Sequence, residues 1–271
     1  MLLLLAGCSA ARLAYDHLDS LIRWGVSDYI DFTPAQRLLL EDEIQPVWRW
    51  HRGTQLPLYA AELRRFADEA LNGPLSRERI DLYLAHAEAY RQAVSRQALP
   101  GTARVLASLD DAQVSDMLER MRKEVARIER KRRKQAAEGP GEGLERETEP
   151  YLRYWTGRFT PEQHQLLLRW AAEVQAGLSQ QTQEQYADLD RYAQVLATRV
   201  QPGFQQRLSD YFDVIASGGE RQSQEAAERE RLLRMLTELS ALLQPQQRQH
   251  LHDRLLDYAE DCEVLAAEKV E

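Results

Sequence analysis

Phe32-Thr33-Pro34-Ala35-Gln36 has the composition of a complete helix N-terminus. Thr33 is a favoured N-cap, because its side-chain oxygen accepts a hydrogen bond from an otherwise unpaired backbone N–H group. Pro34 at the first helical position costs no hydrogen bond and presets the backbone. Gln36 can return a hydrogen bond to the N–H group of the cap and close a capping box. The stretch therefore predicts a helix that begins at residue 34.

The same start recurs three more times along the chain, as Leu109-Asp110-Asp111-Ala112-Gln113, Phe159-Thr160-Pro161-Glu162-Gln163 and Leu243-Gln244-Pro245-Gln246-Gln247. We expect the fourth copy to be degraded, because Gln244 is a poor cap. Residues 75–79 resemble a fifth start that lacks the glutamine. After each of the four starts, apolar residues follow at spacings of four, three and four, with one residue of shift in the second copy. This pattern predicts a buried stripe on one helix face. A shared start together with a shared stripe indicates an internal duplication.

The chain is predicted to be all-α, an antiparallel helical bundle or bundles with two similar multi-helix halves. Ala, Leu, Glu, Gln and Arg, all strong helix formers, dominate the sequence, and no β-branched stretch alternates with the period of a strand. Helix breaks are expected at Asn72-Gly73-Pro74, Pro100-Gly101, Pro202-Gly203 and Ser217-Gly218-Gly219. A single continuous bundle is the alternative to two similar halves.

These patterns divide the chain into five segments. They are a truncated lipoprotein signal remnant at 1–7, an anchor-proximal amphipathic helix at 8–31, an N-terminal helical half at 32–137, a Gly/Glu-rich linker at 138–150 and a C-terminal helical half at 151–271. In the anchor-proximal helix, Trp24 and Tyr29 have two possible places. They could lie at the level of lipid headgroups, or they could pack on the helical body, which we favour.

Composition and charge exclude some partners. The chain has 44% hydrophobic and 29% charged residues, as is ordinary for a globular protein. Its net charge is −8, which argues against a nucleic-acid partner. The one basic cluster, at residues 130–134, is followed at once by glutamates and is interpreted as a solvated helix end.

Leu5-Ala6-Gly7-Cys8 resembles a bacterial lipobox, in which a signal peptide is cut and the cysteine thiol is lipidated. The apolar run before it is short and carries no Lys or Arg, so either the true start lies upstream or the run is only a hydrophobic end. On the first interpretation, lipid on Cys8 anchors the protein to a membrane. Ser9 after the cysteine, rather than Asp, resembles sorting to the periplasmic face of the bacterial outer membrane. Cys262 shares a helix face with Leu251 and Leu255 and is expected to be a buried, inert thiol.

No catalytic, cofactor or metal motif stands out, and we expect the protein not to be an enzyme. The six histidines are scattered, and His250 and His252 are two residues apart, so on a helix they cannot chelate one ion. The best candidate for a partner-binding surface is Trp48, Arg49, Trp50 and Arg52, since Trp and Arg are enriched at interface hot spots. The alternative is that Trp50 packs under the next helix, and we favour this alternative.

The lipobox, the Arg12-Leu13-Ala14-Tyr15 start, the helix that begins at 32–36 and the Trp48–Arg52 segment resemble an uncharacterised proteobacterial family of helical lipoproteins, a domain of unknown function. More distantly, the glutamine starts resemble the Leu-Thr-x-x-Gln signature of periplasmic chaperones of the Spy and CpxP type. The resemblance implies a location and a fold. We therefore expect a non-enzymatic lipoprotein that binds a protein partner or supports envelope integrity. A chaperone or foldase-like client binder and a lipid-anchored enzyme with a site invisible in the sequence are the alternatives.

Overall fold

A computed structural model describes residues 12–268 except residues 14 and 218, with no side-chain description at residues 19, 178–181 and 214–224. Within these residues ten α-helices follow one another: α1 Leu18–Ser27, α2 Pro34–Trp50, α3 Leu56–Asn72, α4 Arg77–Ala107, α5 Asp111–Ala136, α6 Glu142–Thr156, α7 Pro161–Leu196, α8 Phe204–Ser217, α9 Gly219–Leu242 and α10 Pro245–Ala267. A π-helical turn, His51–Gln55, joins α2 to α3 without a loop. The described part of the chain contains no strand, so the prediction of an all-α fold is confirmed.

The four repeated starts all begin helices, at the residues that the sequence predicts. Thr33, Asp110 and Thr160 each cap a helix, and each accepts a hydrogen bond from the backbone N–H of its capping-box glutamine. In the fourth copy, Gln244 makes no side-chain capping hydrogen bond, as expected of a poor cap, but the Gln247 side chain still accepts from the N–H group of Gln244 at 3.0 Å. Ser76, the cap of the fifth start, accepts from Arg79 at 3.3 Å.

The capping glutamines also bind one another in two pairs. Gln36 donates to Oε1 of Gln113 at 3.0 Å and accepts from its Nε2 at 2.8 Å. Gln163 and Gln247 repeat this exchange at 2.8 and 2.9 Å. Each Nε2 gives its second hydrogen to a carbonyl five residues before the partner glutamine, the acceptors being Ser108, Asp31, Leu242 and Arg158. Each pair therefore joins the N-termini of two helices.

The two glutamine pairs lie at opposite ends of a helical bundle. The long helices α4 and α7, of 31 and 36 residues, start at the end that holds the second pair and finish at the end that holds the first. At 1.5 Å per residue they are about 45 and 55 Å long. The first residue of every motif is buried beside its pair: Phe32, Leu109, Phe159 and Leu243. The bundle is therefore organised around two apolar ends.

Each end also takes residues from the other half of the sequence. Leu196, Phe204 and Leu208, from the α7–α8 turn, belong to the core around Phe32 and Leu109. Ala67, Ala70, Leu75 and Ile80, from the α3–α4 turn, belong to the core with Leu243, Leu251 and Leu255. Buried arginines bind these turns: Arg199 donates to the carbonyl of Leu109 at 2.8 Å, and Arg248 donates to that of Gly73 at 2.6 Å. The two predicted halves thus pack into each other.

Two of the predicted interruptions differ in the structure. Pro100-Gly101 does not end a helix, because α4 continues through it to Ala107. A Cβ atom at Gly101 would lie 3.0 Å from Cβ of Glu43, so this glycine permits close contact with α2. The linker predicted at 138–150 is confined to residues 137–141, and α6 covers the rest of that range. The glycine at 141 has a φ of +82° and starts α6.

The predicted stripes are deepest near the motifs. Leu40, Met117, Leu167 and Leu251, eight residues after each start, are all buried, whereas the later stripe positions Val47, Ile128 and Tyr258 are half-buried. No described helix is both long enough and apolar enough to cross a bilayer. Of the two aromatic residues near α1, Tyr29 packs against the first core, but Trp24 is 69% exposed. The prediction that both aromatic residues pack on the helical body is therefore wrong for Trp24.

Candidate functional site

An apolar cavity lies between α1, α2 and α4. Its volume is about 360 Å³, which is in the lower part of the range for small-molecule and peptide-anchor pockets. Most of the wall is aliphatic or aromatic, and each of the three helices supplies part of it: Leu18, Ile22 and Val26 from α1, Leu40, Ile44, Val47 and Trp48 from α2, and Val94, Ala98, Val105 and Leu106 from α4.

The charged side chain in the wall, Glu43, is already paired. Arg104 donates to both of its carboxylate oxygens, and this hydrogen bonding lowers the pKa of Glu43 below its ordinary value. The hydroxyl of Thr102, at the rim, donates to the carbonyl of Ala98 at 3.0 Å. These polar groups are therefore already hydrogen-bonded within the protein, and a ligand in the cavity would contact a mainly apolar surface.

His51 lines the same cavity and is held by Tyr15. The Nδ1 atom of His51 lies 2.9 Å from the hydroxyl of Tyr15. Burial lowers the pKa of His51 and raises the pKa of Tyr15 to about 12. At neutral pH both side chains are therefore uncharged, and this pair lacks the charged carboxylate that would orient a catalytic histidine.

The predicted partner-binding residues point to different places. Trp48 lines the cavity, and its indole N–H is buried without a hydrogen-bond partner among the described residues. Arg49 is exposed, and Trp50 is half-buried with its ring edge against His51, 6.4 Å between centroids. The structure therefore does not bring the four residues together on one surface.

Arg52 serves the fold. It is 5% exposed, and its guanidinium lies 5.2 Å from the centre of the Trp48 ring. It donates to the carbonyl of Leu265 and pairs with Glu268, which fixes the end of α10 against the π-helical turn. The extra residue in this turn interrupts the α-helical register between α2 and α3, as π-turns do. His51, at its start, faces the cavity, while Arg52 is buried beside α10.

Helix α1 extends the apolar surface beyond the cavity. Leu18, Ile22 and Val26 face inward, while Leu21 and Trp24 on the same short helix are exposed. Ile22 contributes to both surfaces, since it lines the cavity and is still 37% exposed. A single helix therefore carries the inner wall of the cavity and an apolar outer face. Contiguous exposed apolar surface of this kind is typical of interaction sites.

A second apolar cavity of about 380 Å³ lies at the opposite end of the bundle. Its wall includes Leu63, Phe66, Leu152, Trp155, Leu236 and Leu255. Both hydroxyls in this wall are satisfied, since Thr156 donates to Leu152 and Ser240 accepts from the N–H group of Leu75, at 2.9 and 2.8 Å. This cavity is as apolar as the first, and α6, which lines it, carries the exposed aromatic side chains of Tyr151 and Tyr154.

His250, His252 and Cys262 do not assemble into a reactive centre with their neighbours. His250 lies 3.1 Å from the carbonyl of Tyr154, and Asp253 pairs with the neighbouring His252. Burial raises the pKa of the half-buried Cys262 to about 11, so this thiol is unreactive at neutral pH. Cys8 and the lipobox lie outside the described residues, and the prediction of lipidation stays a prediction.

Sequence reasoning missed the α4 wall of the cavity. Val94 and Ala98 are four residues apart and share a helix face, but the expected break at Pro100 separated them from Val105 and Leu106. The inner face of α1 was visible, since Leu18 and Ile22 have the same spacing. The sequence did not indicate which helix the inner face of α1 would contact.

One family model, described as a family of unknown function (DUF6279), matches residues 28–216 of the chain. No curated protein and no solved structure matches the chain.

Proposed function

Since the chain belongs to this family of unknown function, we propose a function from its own residues: a non-enzymatic lipoprotein, anchored through Cys8, that binds an apolar segment of an envelope protein in the cavity between α1, α2 and α4. The anchor is proposed on the lipobox residues 5–8. The proteobacterial origin and the periplasmic face of the outer membrane belong to this proposal, with Ser9 as their support.

The observation that carries the binding role is the apolar wall, in which Glu43, His51 and Thr102 already have partners, whereas the buried indole N–H of Trp48 has none among the described residues. An active site needs convergent polar groups that are free to act on a substrate. A binding site for an apolar segment needs the opposite, because any unpaired polar group that it buries costs about 1–3 kcal/mol. The wall suits binding better than catalysis.

A protein segment fits this site better than a small molecule because the apolar surface continues outside the cavity. The exposed side chains of Leu21 and Trp24 lie on the outer face of α1, where a ligand confined to the cavity would leave them in water. Tryptophan is enriched among the residues that dominate protein interfaces. A partner that inserts a side chain into the cavity and covers α1 would bury both surfaces.

Photo-crosslinking of the full-length, anchored protein in the envelope of its own cells tests this proposal. A photoreactive phenylalanine analogue replaces Thr102 at the rim of the cavity, and a matched variant carries it at Ala89, an exposed position of the same helix. We expect a discrete protein adduct from position 102 that position 89 does not give. No adduct, an adduct with phospholipid alone, or equal adducts from both positions would overturn the partner-binding role.

The chaperone or foldase-like alternative rests on the same apolar cavity and differs in its clients. A dedicated partner gives one adduct mass, whereas a general chaperone gives a ladder of adducts that grows when envelope proteins unfold.

The anchor is tested separately with Cys8→Ala. We expect this variant to lose its lipid mass and leave the membrane fraction, and an unchanged mass with unchanged fractionation would contradict lipidation.

A further inference from the structure

Three side chains of metal-binding type converge where α6 packs against the first turn of α7. Their ligand atoms, carboxylate oxygens of Glu145 and Glu149 and a ring nitrogen of His164, all lie within 4.8 Å of one another. The Nδ1 atom of His164 is 3.3 Å from Glu145 and 3.5 Å from Glu149. The two carboxylate side chains are only 19% and 17% exposed, and the His164 side chain, at 40%, is open to solvent on one side.

The backbone around the cluster is held in place without help from the three side chains. Glu145 and Glu149 are one turn apart on α6 and therefore share a face. His164 follows directly on the capping box of Thr160 and Gln163, which sets the start of α7. The N–H group of Gly141 donates to Gln175 at 3.1 Å, so the beginning of α6 is tied to α7. The ligand positions are thus preorganised by two packed helices.

The 3.3 Å between Nδ1 of His164 and Glu145 is a long hydrogen bond, and it is also a separation that two ligands of one ion adopt. A charge-assisted N–H···O bond is about 2.7–2.9 Å long, shorter than either distance from His164 to its carboxylates. Two ligands at about 2.0–2.1 Å from a tetrahedral Zn²⁺ ion lie about 3.3–3.4 Å apart. The chain offers an internal comparison in His86, which lies 2.6 Å from Glu62 and makes an ordinary hydrogen bond.

The charges at the cluster also favour a cation. Within the described residues, the ion pair of Glu145 is with His164 alone, and Glu149 has in addition Arg153, at 3.3 Å. Arg153 compensates one of the two carboxylate charges, so with a neutral imidazole, the form that binds a metal, the cluster keeps one negative charge. We propose that Glu145, Glu149 and His164 bind a first-row divalent cation such as Zn²⁺, with water completing the coordination. One imidazole and two carboxylates are donors that such ions accept.

A bound ion would connect α6 to α7. The same face of α6 continues to Leu152 one turn later and to Trp155 in the turn after that, and both line the second cavity. An ion that binds the folded chain but not the unfolded chain stabilises the folded state by mass action. The ion is therefore expected to raise the melting temperature and to stiffen one wall of that cavity. The sequence indicated no metal site, because the histidine and the glutamates lie on different helices.

Cobalt titration of the full-length chain, without a histidine tag and stripped with a chelator, tests the site. We expect saturable visible absorption from one Co²⁺ per chain, its displacement by Zn²⁺, and a higher melting temperature with Zn²⁺. His164→Ala and Glu149→Gln should each weaken binding at least about tenfold, as the loss of even supporting groups does at metal sites. His86→Ala, at the control His–Glu pair, should bind as the wild type does.

Two results would overturn the site. One is the absence of saturable absorption in the wild-type chain. The other is binding that persists unchanged in His164→Ala, which would identify an adventitious ion elsewhere. The melting temperature of each variant in chelator, compared with that of the wild type, separates loss of the ligand from loss of the fold.

Discussion

The four capping glutamines use every hydrogen-bonding position of their side-chain amides. Oε1 of Gln163 accepts from Thr160 and Gln247, and its Nε2 donates to Leu242 and Gln247. An amide has two donors and two acceptor lone pairs, so none is left over. A capping box alone would accept glutamate equally well, but a carboxylate has no donor for the partner helix. The pairing explains why all four positions are glutamine.

Replacing Gln163 with alanine should lower the free energy of unfolding by about 3 kcal/mol, because the buried amide of Gln247 and the carbonyl of Leu242 lose their partners. Gln163 has 0% of its surface exposed, so water cannot replace the lost bonds. Urea unfolding of the two proteins measures the difference.

The matched control is Gln165→Ala, an exposed glutamine two residues further along α7, which we expect to change stability by less than about 0.5 kcal/mol. Gln163→Glu should be worse than Gln163→Ala, because it removes both donors and buries a charge. A glutamate variant as stable as the wild type would contradict the pairing.

His51 should make stability depend on pH below neutrality. Burial lowers its pKa from the ordinary 6.5, so the unfolded chain binds the proton more readily than the folded chain. Stability is therefore lost as the pH falls below about 6.5. Between about pH 7.5 and pH 5.5, the melting temperature of the wild type should fall more than that of His51→Gln. His17→Gln is the control for the loss of a histidine elsewhere. An equal fall of the melting temperature in the wild type and in His51→Gln would refute this role of His51.

At the scale of elements, several glycines that signal breaks in the sequence serve close packing in the structure. A Cβ atom on Gly143 would lie 2.6 Å from Cβ of Gln135, and one on Gly141 would lie 2.5 Å from the backbone nitrogen of Ala172. Helices α5, α6 and α7 therefore meet at nearly backbone contact. A single sequence does not separate a glycine that ends a helix from one that admits a neighbour, because both lack a side chain.

Gly141→Ala should destabilise the chain by about 2 kcal/mol or more, since its φ of +82° is unfavourable for alanine and its methyl group would collide with α7. Gly25→Ala is the matched control, because it lies inside α1 with nothing within 4 Å. This control should gain up to about 1 kcal/mol from helix propensity. Thermal unfolding of both variants checks the contrast, and two variants of equal stability would contradict the close approach at residue 141.

The elements that could be predicted are those whose signal is local. Thr33 and Gln36 define the start of α2 by themselves, and Asp110 and Gln113 do the same for α5. The cavity could not be predicted in this way, because it depends on which apolar faces meet. Trp24 shows the same limit: its helix is amphipathic, but its 69% exposure depends on which of the described elements pack against α1.

At the scale of the whole molecule, the two sequence halves form each other's cores. Leu196 and Phe204 complete the core around the first glutamine pair, and Ala70 and Leu75 complete the core at the opposite end. The recurrence of the four helix starts is visible in the sequence, but the exchange of turns between the halves is not. Similar local units can pack side by side or into each other with the same repeat pattern.

A chain that ends at residue 137 should therefore not fold cooperatively on its own, because Leu106 and Leu109 would lose the apolar partners that α7 and α8 supply. Circular dichroism should show residual helix with a broad thermal transition. A sharp transition at the melting temperature of the full chain would instead establish the N-terminal half as an independent domain.

The proposed function rests most on the cavity between α1, α2 and α4 as the surface that a partner occupies. Crosslinking from position 102 in a chain that also carries Ala98→Phe, which fills the cavity, tests this most directly; the control carries Ala89→Phe on the exposed face of α4. We predict that the discrete adduct disappears with Ala98→Phe and persists with Ala89→Phe, while both variants melt as the parent chain does. An adduct of undiminished yield from the filled cavity would contradict the proposed function.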